Sequence, residues 1–177
     1  MVSVLTPSIP ERAGMLEEAC ASVQAQTYRG FRHHVFVDED HRGCAWTVNQ
    51  LAALAEGEWL FILADDDLML PGCLAAHLAA SGGADIVYAP PLVWGASAEG
   101  YRQGFPAIPS ASLIRTSLWR QLGGYDENRQ REEDRDFYVR AQAAGARVVR
   151  VAGEPTWVYR IHAGSKSWQG MEQTWAA

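Results

Sequence analysis

The sequence predicts an α/β fold: a mainly parallel sheet with helices on both faces. Three observations carry that expectation. Short apolar runs alternate with helix-period segments from the N-terminus onward. The intervals between the runs fit strand–helix–strand crossovers. The first three runs each end in polar residues, as strands do where an open sheet meets a ligand.

Each element has its own signal. Val2 to Leu5 reads as a short buried strand, broken by Thr6-Pro7-Ser8-Ile9-Pro10-Glu11. Ser8 and Glu11 have capping-box spacing, and Pro10 suits a first helical turn. The helix runs to about Gln26, with Met15, Leu16, Ala19, Cys20 and Val23 on one face. Tyr28-Arg29-Gly30 turns the chain into a second strand, His33 to Val37, which ends in Asp38-Glu39-Asp40. Gly43 opens a helix from about Cys44 to Ala55, stopped at Gly57. Trp59 to Ala64 is a third strand, with Asp65, Asp66 and Asp67 side by side at its end. Pro71 starts a helix to about Ala80, and Asp85 to Ala89 is a fourth strand. Right-handed crossovers would set these four strands side by side in one direction.

The second half is less regular. Residues 90–109 hold Pro90, Pro91, Gly95, Gly100, Gly104, Pro106 and Pro109, and read as one long loop. Ser110 to Arg115 reads as a strand, and Ser117 to Leu122 as a short helix closed by Gly123-Gly124. Arg131 to Ala144 is a helix capped by Gly145, and Arg147 to Val151 and Thr156 to Ile161 are strands. The residues from Ala163 onward are polar, with scattered tryptophans.

Length and composition narrow the classes. The 177 residues suit one domain with a real core. No apolar run approaches the roughly 20 residues that span a bilayer. MVSVLTPS lacks the basic start and apolar core of a signal peptide, so a soluble, cytoplasmic protein is expected. The net charge is −6 and no Lys/Arg-rich run stands out, so no strong nucleic-acid footprint is expected. Cys20, Cys44 and Cys73 are odd in number and widely spaced, as buried thiols in a reducing compartment are. Trp94, Trp119, Trp157, Trp168 and Trp175 lie in the second half, where they serve either core packing or stacking on a ring-shaped ligand.

The polar signals converge. Thr6 follows the first strand, Asp38 the second and Asp65 to Asp67 the third, all on one edge of one sheet. Three adjacent carboxylates repel one another, and Mg²⁺ or Mn²⁺ would cancel that repulsion and neutralise a bound diphosphate. Taken alone, the triplet reads equally well as a solvated cap before Pro71. A second acidic cluster, Glu132-Glu133-Asp134, opens a helix. If one of these acids faces the sheet edge, it is a candidate general base. A third cluster is Tyr159-Arg160-Ile161-His162, where a strand-end His beside Arg can complete a metal or diphosphate site. GxGxxG after the first strand, GxxxxGK[ST], GxSxG and HExxH are all missing.

The TP turn, the Asp closing the second strand, the DDD-xxx-P segment, GGYDE, ED-x-D-x-x-x-R and YRIH occur in the order of a known pattern. From about Val2 to Ser167 the chain resembles the family 2 glycosyltransferases, which have the GT-A fold, a Rossmann-like arrangement. The resemblance implies inverting transfer of a sugar from a nucleotide donor, usually UDP-linked, with Mn²⁺ or Mg²⁺ as cofactor. It implies that Thr6 and Pro7 line the nucleotide pocket with Arg12 nearby, and that Asp38 accepts from the uracil N3–H. Asp65 would approach the ribose or diphosphate. Asp66, five residues before Pro71, would bind the metal, with Asp67, Asp65 and His162 completing its surroundings. Asp134 would be the catalytic base, with Glu133 beside it.

The domain expected on that basis covers residues 1–162, with a nucleotide-binding half over about 1–90, an acceptor and catalytic half over about 91–162, and a tail over 163–177. Ala64 stands where many relatives have a first aspartate, and Glu11 where relatives have Asn. The QxxRW motif of processive synthases is missing, so a single transfer is expected. No motif names the acceptor, and the tail tryptophans suit a homodimer contact. Two other readings compete. One is a sugar-nucleotide binding protein that has lost transfer, which would be expected to lack the acidic pair. The other is a sugar nucleotidyltransferase, which would be expected to begin with a Gly-rich loop in place of TPSIPER.

Overall fold

The computed structural model describes residues 1–95, 108–129 and 131–165. Its first half runs β1 (Val2–Ser8), α1 (Ala13–Gln24), β2 (Phe31–Val37), α2 (Cys44–Ala53) and β3 (Trp59–Ile62). A two-residue strand β4 (Leu68–Met69), α3 (Cys73–Ala79) and β5 (Ile86–Tyr88) follow. The second half runs β6 (Leu92–Gly95), β7 (Ser112–Arg115), α4 (Thr116–Leu122), α5 (Glu133–Ala143), β8 (Val148–Arg150) and β9 (Trp157–Ile161).

A six-stranded sheet of order β2–β1–β3–β7–β5–β8 forms the middle layer. Alternation along its strands feeds two cores. Val2, Val4, Trp59, Phe61, Val87 and Leu113 pack with Ala19 and Val23 of α1 and Cys73 and Leu74 of α3. Leu5, Leu60, Ile62, Ile86 and Ile114 pack on the other face with α2, α4 and α5. Period-two alternation buried on both faces is why these strands read as continuous apolar runs.

The four early strands do share one direction, but they are not all neighbours. β7 enters antiparallel between β3 and β5. The registers Leu60↔Ile114 and Ile86↔Ile114 explain the insertion: one apolar residue of β7 fills the core position between two parallel strands. Two further strands depart from the expectation. β4 and β6 flank β9 in a second, three-stranded sheet, so the segment expected as loop from 90 to 109 begins as strand. The rest of that loop, residues 96–107, lies outside the described residues, as do Trp168 and Trp175 of the tail.

β1 extends through Thr6, Pro7 and Ser8, which stay in register with Val35, Phe36 and Val37. β3 pairs with β1 only over Val2–Leu5, so Pro7 lies past the end of that ladder and its missing N–H leaves no gap there. The Ser8–Glu11 capping box does not form. Ile9 precedes the 3₁₀ turn Pro10–Arg12, and no side chain caps it. Trp119 and Trp157 are buried in the two cores, whereas Trp94 on β6 is exposed.

Candidate active site

The carboxyl ends of β1, β2 and β3 open into a cleft of about 400 Å³. Its far wall is the N-terminus of α5 with Tyr125, and β9 contributes Trp157 and Tyr159. Seven acids line it: Asp38, Asp65, Asp66, Asp67, Glu132, Glu133 and Asp134. Arg12 is the one arginine or lysine among the described lining residues.

The three aspartates have three different surroundings. Asp65 is buried; its Oδ2 accepts from Ser8 Oγ at 2.7 Å and its Oδ1 from Arg12 Nη1 at 2.9 Å. Asp66 Oδ2 accepts from the same Nη1 at 3.0 Å and lies 3.2 Å from His162 Nε2. The Gly164 N–H donates to His162 Nδ1 at 3.1 Å, which assigns the ring proton to Nε2, so that nitrogen donates to Asp66. Asp67 turns toward β9, where its Oδ1 accepts from the backbone N–H of Arg160 at 3.0 Å. Burial, with Asp66 beside it, pushes the Asp67 carboxyl well above the usual carboxylate range. Arg160 in turn donates to the Asp66 carbonyl and to Glu18.

Arg12 therefore lies among the acids. Besides Asp65 and Asp66, its Nη2 donates to the Gly164 carbonyl at 2.9 Å. Burial opposes the charge, but Asp66 and Asp65 outweigh it and raise the guanidinium pKa further. Among the described residues, no three His, Cys, Asp or Glu side chains converge as a metal site. The donor chemistry nonetheless fits a hard cation: carboxylates and an imidazole adjoin, and Asp66 Oδ1 has no hydrogen-bond partner among the described residues.

Asp38 is held at the end of β2. Its Oδ2 accepts from Gly43 N at 2.8 Å and Thr47 Oγ1 at 3.3 Å. Gly43 has φ 110, a conformation only glycine adopts freely, and that brings its N–H onto the carboxylate. Burial raises the Asp38 pKa, but the N–H groups of Gly43 and Arg42 and the Thr47 hydroxyl lower it more, so the group stays an anionic acceptor. Thr6 is placed differently. Its Oγ1 bonds His33 Nε2 at 2.9 Å and it is not among the lining residues, whereas Pro7 and Ser8 are.

Glu133 and Asp134 both line the cleft, Glu133 buried and Asp134 half-buried. α5 starts at Glu133 and not at Arg131, because Glu132 takes a left-handed conformation with φ 58. His41, with φ 52, lines the opposite wall. These are the described non-glycine residues with positive φ, and strain of this kind gathers at functional sites. Arg140 fixes the wall: Nε donates to Asp136, Nη1 to the Leu122 carbonyl and Nη2 to that of Gly124, each at 2.8 Å. Asn49 clamps Tyr125 through both backbone groups. The Tyr125 hydroxyl is buried without a hydrogen-bond partner among the described residues.

Ser8 and Tyr125 were missed as lining residues. The sequence signal at Ser8 is that of a helix cap, and Tyr125 stands out only within GGYDE. No sequence spacing links Ser8 to Asp65, which lie 57 positions apart.

No family model matches the chain, and no curated protein matches it. Solved structures do. TarS from S. aureus in complex with UDP-GlcNAc superposes with a TM-score of 0.76 at 16% identity, covering 93% of this chain and 59% of that one. TarS 1-349 in complex with UDP gives 0.74 at 15% identity, over 90% and 60%. The mannosyltransferase PcManGT from Pyrobaculum calidifontis, in complex with GDP-Man and Mn2+, gives 0.75 at 17% identity, over 95% and 59%. The chain spans about 60% of the length of these proteins. Its fold is of the GT-A type, shared with these glycosyltransferases.

Proposed function

We propose that this protein is an inverting glycosyltransferase that moves a sugar from a nucleotide donor, with UDP favoured, to an acceptor hydroxyl in a single transfer. The observation that carries the reading is the facing of two acidic groups across one cleft. Asp65 and Asp66 lie at the strand ends, and Glu133 and Asp134 lie on the α5 wall. The structures in complex with UDP, UDP-GlcNAc and GDP-Man share this fold.

The residues then have roles. The anionic Asp38 accepts the imide N–H of uracil. Pro7 and Ser8 border the nucleotide, with Thr6 acting behind them through His33. Arg12 and Asp65 adjoin the diphosphate and ribose. Asp66 and His162, with Asp65 and the supporting Asp67, would hold Mn²⁺ or Mg²⁺. Bound there, the ion supplies positive charge to the leaving diphosphate. Asp134 takes the proton from the acceptor hydroxyl as its oxygen attacks the anomeric carbon. The carbon–oxygen bond to the diphosphate breaks on the opposite face, so one displacement inverts the centre. Glu133 keeps that wall acidic and buried.

In this reading residues 1–90 bind the nucleotide and 91–162 serve the acceptor. Among the described residues no helix is long and apolar enough to cross a membrane. The free cysteines suit a reducing, cytoplasmic setting. A homodimer through the tail is part of the proposal.

The test is calorimetric titration of UDP, with Mn²⁺ and then with EDTA, followed by assay of nucleoside diphosphate release from a panel of UDP- and GDP-sugars. Metal-assisted binding with diphosphate release is the expected result. Binding without release from any donor would leave a sugar-nucleotide binding protein. Pyrophosphate release from a nucleoside triphosphate would indicate a nucleotidyltransferase.

A further inference from the structure

The Arg12 guanidinium stands where the aspartates would meet a cation. Its Nη1 is 2.9 Å from Asp65 Oδ1 and 3.0 Å from Asp66 Oδ2. Mg²⁺ binds carboxylate oxygens at about 2.0–2.1 Å. An ion joining those two oxygens on the side where Nη1 lies would overlap it, and like charge opposes the two sharing the pair. Arg12 and a metal thus compete for Asp65 Oδ1 and Asp66 Oδ2 in this arrangement. Arg12 also bonds the carbonyl of Gly164, in the turn that carries His162, so one side chain spans both halves of the donor set.

An anion entering the cleft would offer Arg12 an alternative partner. The lining is otherwise acidic, and a guanidinium pairs with phosphate oxygens as well as with carboxylate. It lies at the join of the Pro10–Arg12 turn and α1, is about a quarter exposed, and borders the cleft. We propose that Arg12 is an exchange residue: it neutralises Asp65 and Asp66 in the free protein, and moves to the incoming diphosphate as a divalent cation takes its place. Metal and nucleotide would then bind with positive coupling. The free protein would hold metal poorly, and the exchange would ready Asp66 and His162 only when a donor is present. This inference rests on the nucleotide reading above.

Electron paramagnetic resonance of free Mn²⁺ tests it on the full chain, with and without saturating UDP, for wild type, Arg12→Gln and Arg12→Lys. Circular dichroism checks that each is folded. In wild type, UDP should tighten Mn²⁺ binding at least tenfold. Arg12→Gln should tighten Mn²⁺ binding about tenfold without UDP, and shrink the enhancement by UDP to a few-fold, because coupling is reciprocal. Arg12→Lys keeps the charge but cannot bridge both carboxylates and Gly164, so it should fall between. Unchanged or weaker Mn²⁺ binding in both variants, with UDP still binding wild type, would overturn the exchange and leave the nucleotide reading standing. If wild type binds neither UDP nor Mn²⁺, the nucleotide reading falls, and the exchange with it. Should Arg12→Gln fail to fold, Arg12→Lys decides: no gain in Mn²⁺ affinity over wild type overturns the proposal.

Discussion

Replacing Asp67 by Asn and by Ala separates a strut from a metal ligand. Asp67 is buried, and its Oδ1 accepts from the Arg160 N–H at 3.0 Å. Asn keeps that acceptor in nearly the same volume and removes the ionisable group. Ala removes both and leaves a buried N–H unsatisfied, which costs about 1–3 kcal/mol. Asp67→Ala should be less stable than Asp67→Asn by that amount, or roughly 2–12 °C in melting temperature at about 2–4 °C per kcal/mol for this size. The pH dependence has a definite sign. The folded carboxyl titrates above its ordinary value of 3.8, so within that window the folded chain holds the extra proton. Wild-type stability therefore falls as pH rises from about 4 through the raised folded pKa. Asp67→Asn has no such loss, so its advantage grows over the same window and then levels off. Urea denaturation followed by tryptophan fluorescence, in half-unit pH steps, measures all three chains. Mn²⁺ affinity in the presence of UDP should stay within about twofold in Asp67→Asn. A stability difference from wild type that ignores pH, or loss of Mn²⁺ binding, would refute the assignment of Asp67 as a strut between the two sheets.

Three further expectations concern the cleft and its support. Asp134→Asn should retain UDP binding by calorimetry and lose about 10²- to 10⁴-fold in transfer rate, the range a general base contributes; near-normal turnover would remove Asp134 from that role. His77 is buried, its Nε2 lacks a partner among the described residues and burial pushes its pKa down to about 4 from 6.5. The unfolded chain binds that proton first, so stability is lost as pH falls from 6.5 toward 4, by about 3 kcal/mol in all. His77→Phe should flatten that part of the stability profile in urea titrations, and an unchanged slope would count against it. Gly124→Ala should lower stability by about 1–3 kcal/mol through its backbone alone, since φ is 71. Its Cβ would also meet Asn49 Oδ1 at 2.4 Å, so thermal melting and UDP-sugar affinity should both suffer.

What was legible in the sequence was local. The runs around Leu5, Val37 and Phe61 carry their own periodicity, and Asp38 and Asp65 after the second and third runs line the cleft, whereas Thr6 after the first does not. Glu133 and Asp134 could be placed at a helix start because acidic residues favour that end. What was not legible depends on partners far along the chain. β4 has two residues and exists only because Leu68 and Met69 meet Val158 and Trp157. β7 runs antiparallel because Ile114 fills a core position between Leu60 and Ile86, which no local pattern specifies. The resemblance places Arg12 only near the nucleotide pocket; its pairing with Asp65 and Asp66 is a tertiary fact. The left-handed Glu132 gives no sign in its residue type, which is why α5 was expected two residues too early.

The position of β9 governs when the cleft can come into being. β9 lies at the centre of the small sheet, pairs with Leu68 and Met69 just after the aspartates, and supplies the N–H that seats Asp67. The first half of the chain cannot therefore mature by itself as it leaves the ribosome. Until Trp157 to Ile161 has emerged and docked, the acidic loop after β3 has neither its backbone donor nor its strand partner. The contact joins residues 93 positions apart, which gives this site a high contact order and makes its closure a late event in folding.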